Sequence, residues 1–218
     1  MAAGIAGYLI GSFPTACLAS RYAALTTGRE VDLRTAGTGN PGALNAAKML
    51  GLKWGLAVLA GDVLKGALAA LGGRRLAGDN GAYAAATGAV LGHCAPVWTG
   101  FRGGKGVATS AGTAAVCFPP YLPFDLALAA ATLVLSGGRA GAATYVASAC
   151  FVAASVYWWR SGRGNLWGPK PTIGLPLYAL LTSAVIAYRF ITAPKAGPAA
   201  AESGRQARPD FPEPAVAS

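Results

Sequence analysis

Apolar residues run through this chain in blocks about as long as a bilayer is thick, and that pattern narrows the fold class more than any motif does. Crossing the hydrocarbon core takes about 20 apolar residues in a helix. A chain in lipid must also satisfy its backbone amides internally, which a helix does segment by segment. Blocks at 2–20, 52–72, 82–98, 142–159 and 173–191 are of this kind. The apolar region 106–136 contains FPPYLP, and Pro119, Pro120 and Pro123 divide it into two short spans, 106–118 and 121–136. The expectation is an all-α, polytopic integral membrane bundle of about seven transmembrane helices. Composition agrees: 12% of residues are charged, about half the share in soluble domains. The first block lacks a basic flank before its apolar core and is followed by further spans, so it reads as a retained span and not a signal peptide. Residues 1–192 form the membrane-embedded domain on this reading. The Pro-, Ala- and Gly-rich 193–218 form a disordered tail.

The 18 Lys and Arg outnumber the 8 Asp and Glu, for a net charge of +10. Because the basic residues sit between apolar blocks, they point to anionic lipid or an anionic substrate and not to nucleic acid. Seven spans place 21–51, 99–106, 137–141 and the tail on one side, with Arg21, Arg29, Arg34, Lys48, Arg102, Lys105, Arg139, Lys195, Arg205 and Arg208. The other side has Arg74, Arg75, Arg160, Arg163 and Lys170. The basic excess assigns the first side to the cytoplasm, the N-terminus outside and the C-terminus inside. Cys17, Cys94, Cys117 and Cys150 are scattered through apolar blocks with no CxxC pair, so they read as small buried hydrophobes and not as metal ligands. Within the second span Asp62 and Lys65 are three apart, on one helical face, where they can pair.

Two glycine-rich stretches fall on the cytoplasmic side. In GFRGGKGVATSAG, residues 100–112, Gly103, Gly104 and Gly106 surround Lys105 just before the next span. Glycines allow backbone amides to turn toward an anion, a helix N-terminus favours negative charge, and the lysine adds a point charge. The spacing is not that of a Walker A loop. A plain interhelical turn, its lysine on lipid headgroups, is the alternative. In DLRTAGTGNPGALNAAKMLG, residues 32–51, Pro41 suits a first helical turn with Asn40 as its N-cap, and Asn45 and Lys48 share a face beyond it; an ordinary capped interfacial helix is the alternative. His93, the sole histidine, lies ten residues before Gly103. It suits orienting a reacting group, or packing as a core histidine. The scarcity of carboxylates in the spans, Asp62 and Asp125, argues against acid/base chemistry by a carboxylate pair.

YLIGSFPTACLASR, DLRTAGTGNPGALNAAKMLG, GDVLKG and GHCAPVWTGFRGGKGVATSAG follow one another in this order. Together they resemble the bacterial acyl-phosphate:glycerol-3-phosphate acyltransferases, the PlsY family. The likeness is detailed over the first half of the chain and extends to the second half in hydropathy only. It implies a multi-span enzyme of the inner (plasma) membrane with a cytoplasmic active site and no cofactor or metal. That enzyme moves a fatty acyl group from acyl phosphate to the sn-1 hydroxyl of glycerol-3-phosphate, giving lysophosphatidic acid and phosphate. It further implies phosphate binding by Gly103, Gly104, Lys105 and Gly106. Thr38, Asn40 and Asn45 match polar residues of the first family motif, Lys48 stands at that motif's arginine, and His93 matches the histidine upstream of the glycine loop. The chain departs from the pattern in three places. Thr38 replaces a serine and Lys48 an arginine. Ala142 stands where the family has a polar residue, unless the alignment slips to Ser148. The third motif, His-Arg-Glu-Asn, is absent, with Arg189 alone in keeping. A non-catalytic paralogue, or a membrane carrier or binder of a small phosphorylated metabolite, is the reading of another class that these departures leave open. Nothing in the sequence sets an oligomeric state.

Overall fold

The computed structural model describes residues 1–28 and 30–192. The segment expected to be a disordered tail lies outside the described residues. Regular structure among them is entirely helical: α1 (Ala2–Gly11), α2 (Thr15–Thr27), α3 (Ala43–Leu50), α4 (Leu52–Cys94), α5 (Val107–Cys117), α6 (Leu122–Leu135), α7 (Ala140–Ser161) and α8 (Gly174–Thr192), with one 3-10 turn at Val97–Thr99. Four stretches have the length and apolar character to cross a membrane: Ala2–Thr27, Leu52–Thr99, Ala140–Ser161 and Gly174–Thr192. Helices α5 and α6 are shorter apolar helices on either side of the Pro119–Pro120 break, close to the two short spans expected there.

Two expected spans differ from the structure. The block 2–20 is not one helix. Pro14 has no N–H to give the carbonyl of Ile10, so the helix stops at Gly11; the Phe13 amide takes that carbonyl at 3.1 Å and α2 restarts at Thr15. The blocks 52–72 and 82–98 need no nine-residue connection. Helical backbone runs through both, and the reversal is confined to Ala77 and Gly78, the latter at φ +64, where an L side chain is strained. Because the reversal is so tight, the two arms of α4 lie against each other along their length, and Asp62 and His93, almost equally far from the bend in sequence, come to one level.

Small residues set how closely the helices approach. A Cβ on Gly7 would collide with the Ala85 backbone, one on Gly11 with Ala89, one on Gly88 with Gly4 and one on Gly92 with Tyr8. The register of α1 and the second arm of α4 advances together, so they run parallel, backbone to backbone. Helix α5 crosses the first arm in the same manner, Gly66 against Thr109 and Gly112 against Val63. In lipid, where apolar burial gives helices little reason to associate, such close van der Waals contact supplies the attraction. Larger side chains fill the space toward the bend: Tyr83, Phe118, Phe151, Leu175 and Tyr178 form a buried cluster, with Thr113 and Tyr178 hydroxyls bonded at 2.8 Å. Helix α6 contributes no buried residue.

Glycine in α4 therefore has two separable roles. Gly88→Ala is expected to lower stability by about 1–3 kcal/mol by forcing α1 outward. Gly72→Ala, in the same helix with nothing within 4 Å of the added carbon, is expected to be neutral or stabilising by up to about 1 kcal/mol. Thermal unfolding of both variants in detergent checks the contrast.

Candidate active site

The break between α1 and α2 exposes polar backbone in an apolar bundle, and α4 answers it. Lys65 Nζ donates to the carbonyl of Phe13 at 3.1 Å and pairs with Asp62 at 2.8 Å, both side chains buried. The pairing expected from their spacing is present. The Thr15 hydroxyl, first residue of α2, donates to the same Asp62 oxygen at 2.5 Å. His93, from the second arm, brings Nδ1 to 3.3 Å of that oxygen, near enough for electrostatic contact but out of line for a hydrogen bond. One buried carboxylate thus joins the helix break, the first arm and the second arm.

The glycine loop closes over this group. A Cβ on Gly104 would strike His93 Nε2, and one on Gly103 would strike the His93 carbonyl and the Pro96 ring. Both glycines are buried, so the loop has no room for side chains here. The Gly104 amide donates to the carbonyl of His93 at 3.1 Å. From the far side Arg189 of α8 donates to the carbonyls of Gly103, at 2.6 Å, and Gly104, at 3.1 Å. A peptide unit is planar and trans, so a carbonyl fixed toward Arg189 turns the following amide, that of Lys105, away from it. Gly106, at φ +87, then starts α5, whose first-turn amides have no intrahelical acceptors. The Lys105 ammonium lies 4.2 Å from the Phe190 ring centroid. Its pKa is lowered by partial burial and secondarily by the charge of Arg189.

A narrow cleft of about 30 Å³ opens between these parts, lined by Phe13, Thr15, Cys17, Arg34, Lys65, His93, Arg102, Gly103 and Gly104 among others. Four of those side chains are basic or imidazole, and the lining contains no carboxylate.

The site residues expected from sequence distribute as follows. His93, Gly103 and Gly104 line the cleft. Lys105 and Gly106 continue the same loop toward α8, Gly106 packing on Cys94, Val90 and Ile186. The segment 32–50 reaches the cleft through Arg34 and Pro41, not through Thr38, Asn40, Asn45 or Lys48. Thr38 and Lys48 are exposed and Asn45 is buried, so Asn45 and Lys48 do not share an environment. Asn45 holds the loop: its Oδ1 accepts the Thr38 amide at 2.9 Å and its Nδ2 donates to the carbonyls of Leu33, at 3.1 Å, and Ala36, at 3.0 Å. The expected cap at Asn40 is not formed. The helix begins at Ala43 with extended Gly42 at its N-cap, because a tight turn joins the Gly42 amide to the Asn40 carbonyl at 2.8 Å. Arg34 is steadied by a forked bond to Asp32, which holds the Asp32 carboxyl below its ordinary pKa. Sequence reasoning did not place Thr15, Lys65, Arg34 or Arg102 in the site. The i,i+3 charge pair in an apolar span and the Phe-Pro-Thr interruption were the available signals.

Comparison with known proteins bears directly on this arrangement. The family model described as glycerol-3-phosphate acyltransferase matches residues 1–196. The chain belongs to the glycerol-3-phosphate acyltransferase family. Among its relatives, a protein named glycerol-3-phosphate acyltransferase from Thermoanaerobacter pseudethanolicus is 40% identical over 147 residues, 65% of this chain and 72% of that one. The one so named from Myxococcus xanthus is 40% identical over 162 residues, 69% of this chain and 79% of that one. The crystal structure of PlsY, an integral membrane glycerol 3-phosphate acyltransferase, in its glycerol 3-phosphate form superposes with a TM-score of 0.68 at 29% identity, covering 88% of this chain and 92% of that one. The lysophosphatidic acid form gives 0.66 at 27% identity, covering 92% and 96%. The family resemblance and the helical membrane fold read from sequence both stand.

Within this family member Arg189 supports the glycine loop through its backbone. Arg189→Ala is expected to destabilise the loop by about 2 kcal/mol, the scale of hydrogen bonds to a charged donor, with Arg189→Lys recovering part of it. Hydrogen exchange across 102–110 reads the effect. Asn45→Ala, which removes three hydrogen bonds from a buried side chain to the 33–38 backbone, is expected to cost about 2–3 kcal/mol, visible as a lower melting temperature.

Proposed function

We propose that the protein transfers a fatty acyl group from acyl phosphate to the sn-1 hydroxyl of glycerol-3-phosphate, releasing lysophosphatidic acid and inorganic phosphate at the cytoplasmic face of the inner membrane. The observation that carries this is the cleft itself: three cationic side chains and an imidazole facing two glycines, at the start of a helix, in a protein of this family. Both substrates are phosphate esters or anhydrides. Amides of Lys105 and Gly106, the first turn of α5 and the Lys105 ammonium are the phosphate donors. The Gly104 amide, already bonded to His93, acts by fixing the loop. Acyl phosphate is an activated donor and needs no protein nucleophile, so catalysis rests on positioning and on stabilising charge at the carbonyl and the departing phosphate.

Arg34, which lines the cleft, is the contact for the glycerol-3-phosphate end; Thr38, Asn40 and Lys48 lie on the same segment outside the cleft, and Asn45 holds the 33–38 backbone that carries Arg34. Arg189 accounts for a site lacking the His-Arg-Glu-Asn motif: it acts on the backbone of the phosphate loop, a role that needs no neighbouring motif residues. The excess of basic residues on the loop side supports the cytoplasmic orientation.

The test is acyl transfer by purified protein in lipid or detergent, from palmitoyl phosphate to labelled glycerol-3-phosphate. Lysophosphatidic acid from the parent, with a loss of about 100-fold in kcat/KM for folded Lys105→Ala, is the expected outcome. No product from folded parent across several donors and acceptors overturns the reading and favours a binder or inactive paralogue. Because the Lys105 pKa is lowered, its charge is lost at a pH below that of an ordinary lysine. Activity therefore falls on the alkaline side as that proton leaves, and Lys105→Arg is expected to move that limit upward.

A further inference from the structure

A second groove, of about 400 Å³, opens at the other end of the bundle, between the bend of α4 and the connection from α7 to α8. The helix from Asp62 to Ala77 in α4 is about 22 Å long, so the groove and the cleft lie near opposite faces of the membrane. Arg74, Arg163 and Lys170 line the groove, and Asp79 is the carboxylate among its lining residues. Three cations against one carboxylate leave a net charge of +2. Asp79 is taken by Arg74, at 3.3 Å, and Arg74 also donates to the Trp167 carbonyl at 2.8 Å. Among the described residues Arg163 and Lys170 have no carboxylate at ion-pairing distance. Both are nevertheless placed. The Arg163 guanidinium lies 5.5 Å from the Tyr157 ring centroid and 5.7 Å from that of Trp158, and the Lys170 carbonyl accepts the Tyr83 hydroxyl at 3.3 Å.

Between these cations stands a buried acceptor. Asn165, 5% exposed, donates from Nδ2 to the carbonyls of Cys117, at 2.9 Å, and Pro169, at 2.7 Å. Its Oδ1 is buried and accepts no hydrogen bond, an uncommon condition for an amide oxygen. The amide is planar, so with its nitrogen turned to the interior its oxygen is left for a donor in the groove. Tyr157, Leu166 and Trp167 beside the groove are exposed, as aromatic and apolar side chains are at the level of lipid headgroups. We propose that this groove binds the headgroup of an anionic phospholipid bearing a free hydroxyl, in the leaflet at the α4 bend. Arg163 and Lys170 take the phosphate oxygens, and the headgroup hydroxyl donates to Asn165 Oδ1. A choline headgroup brings its own cation to a cationic groove and has no donor for Asn165.

Native mass spectrometry of the full chain, released from mixed micelles of detergent, phosphatidylcholine and phosphatidylglycerol, tests this. Arg163→Gln/Lys170→Gln is expected to reduce the preference for phosphatidylglycerol over phosphatidylcholine by about tenfold or more. Arg75→Gln/Arg160→Gln removes the same charge from the same end of the bundle but outside the groove, and is expected to change the preference by less than about twofold. All four side chains are exposed, so both double variants are expected to melt with the parent. Phosphatidylmethanol, of equal charge but without the hydroxyl, is expected to be retained about 2- to 10-fold less than phosphatidylglycerol, the scale of one hydrogen bond. Equal losses in the two double variants reduce the effect to surface charge and overturn the proposal. Equal retention of phosphatidylmethanol and phosphatidylglycerol overturns the hydroxyl-bearing headgroup. Displacement of the lipid by millimolar glycerophosphoglycerol assigns the groove to a soluble phosphate ester and overturns the lipid.

Discussion

The carboxylate of Asp62 is the interaction on which the site's architecture depends. An ionised side chain in the middle of a bundle is costly unless paired and hydrogen-bonded, and here the pairing partners are the walls of the cleft: Lys65, Thr15 and, opposite them, His93. Lys65 also takes the Phe13 carbonyl, a group the helix break leaves outside any helical ladder. The break thus becomes tolerable in lipid because α4 supplies a charge to it, and that charge is tolerable because Asp62 lies one helical turn away. Removing Lys65 would leave the carboxylate without its counter-charge and the Phe13 carbonyl without its donor in an apolar setting.

The glycine loop shows a related economy. Gly103 and Gly104 are required by the closeness of His93 and Pro96 as much as by any ligand. Their carbonyls face Arg189 and one amide faces His93, so the loop's shape is decided by protein groups on both sides. Preorganised amides of this kind lose little on binding, which is where electrostatic stabilisation gains its effect. Arg189 supports the loop through main-chain carbonyls, so its part depends on the loop's backbone and not on a side-chain partner there.

Much of this was legible in the sequence, and the parts that were not share a cause. Apolar block lengths gave the helical membrane fold, the prolines at 119, 120 and 123 gave the division between α5 and α6, and the three-residue spacing gave the Asp62–Lys65 pair. All of these are local. That Asp62 meets His93 depends on how tightly the chain reverses at Ala77–Gly78, which the stretch 73–81 did not disclose. Pro14 was visible but sat in a block apolar enough to read as one span, because hydropathy averages over a break. At Asn40 the local cap signal was genuine, but Gly42 adopts extended backbone and starts the helix later. Asn45 carried the composition of a ligand contact, and only the fold of 33–38 around it shows its amide already in use by the backbone.

The hairpin form of α4 bears on how such a protein is made. Asp62, Lys65 and His93 all belong to one continuous 43-residue helical run folded at a two-residue bend, and the charged pair lies one turn apart on the same arm. Its ion pair needs only local helix to form, so the two charges neutralise each other within one segment and need no other span to do so. Closing the hairpin then carries His93 to them. The centre of the site is in this sense built into a single segment, and α1, α2, the glycine loop and α8 pack around it.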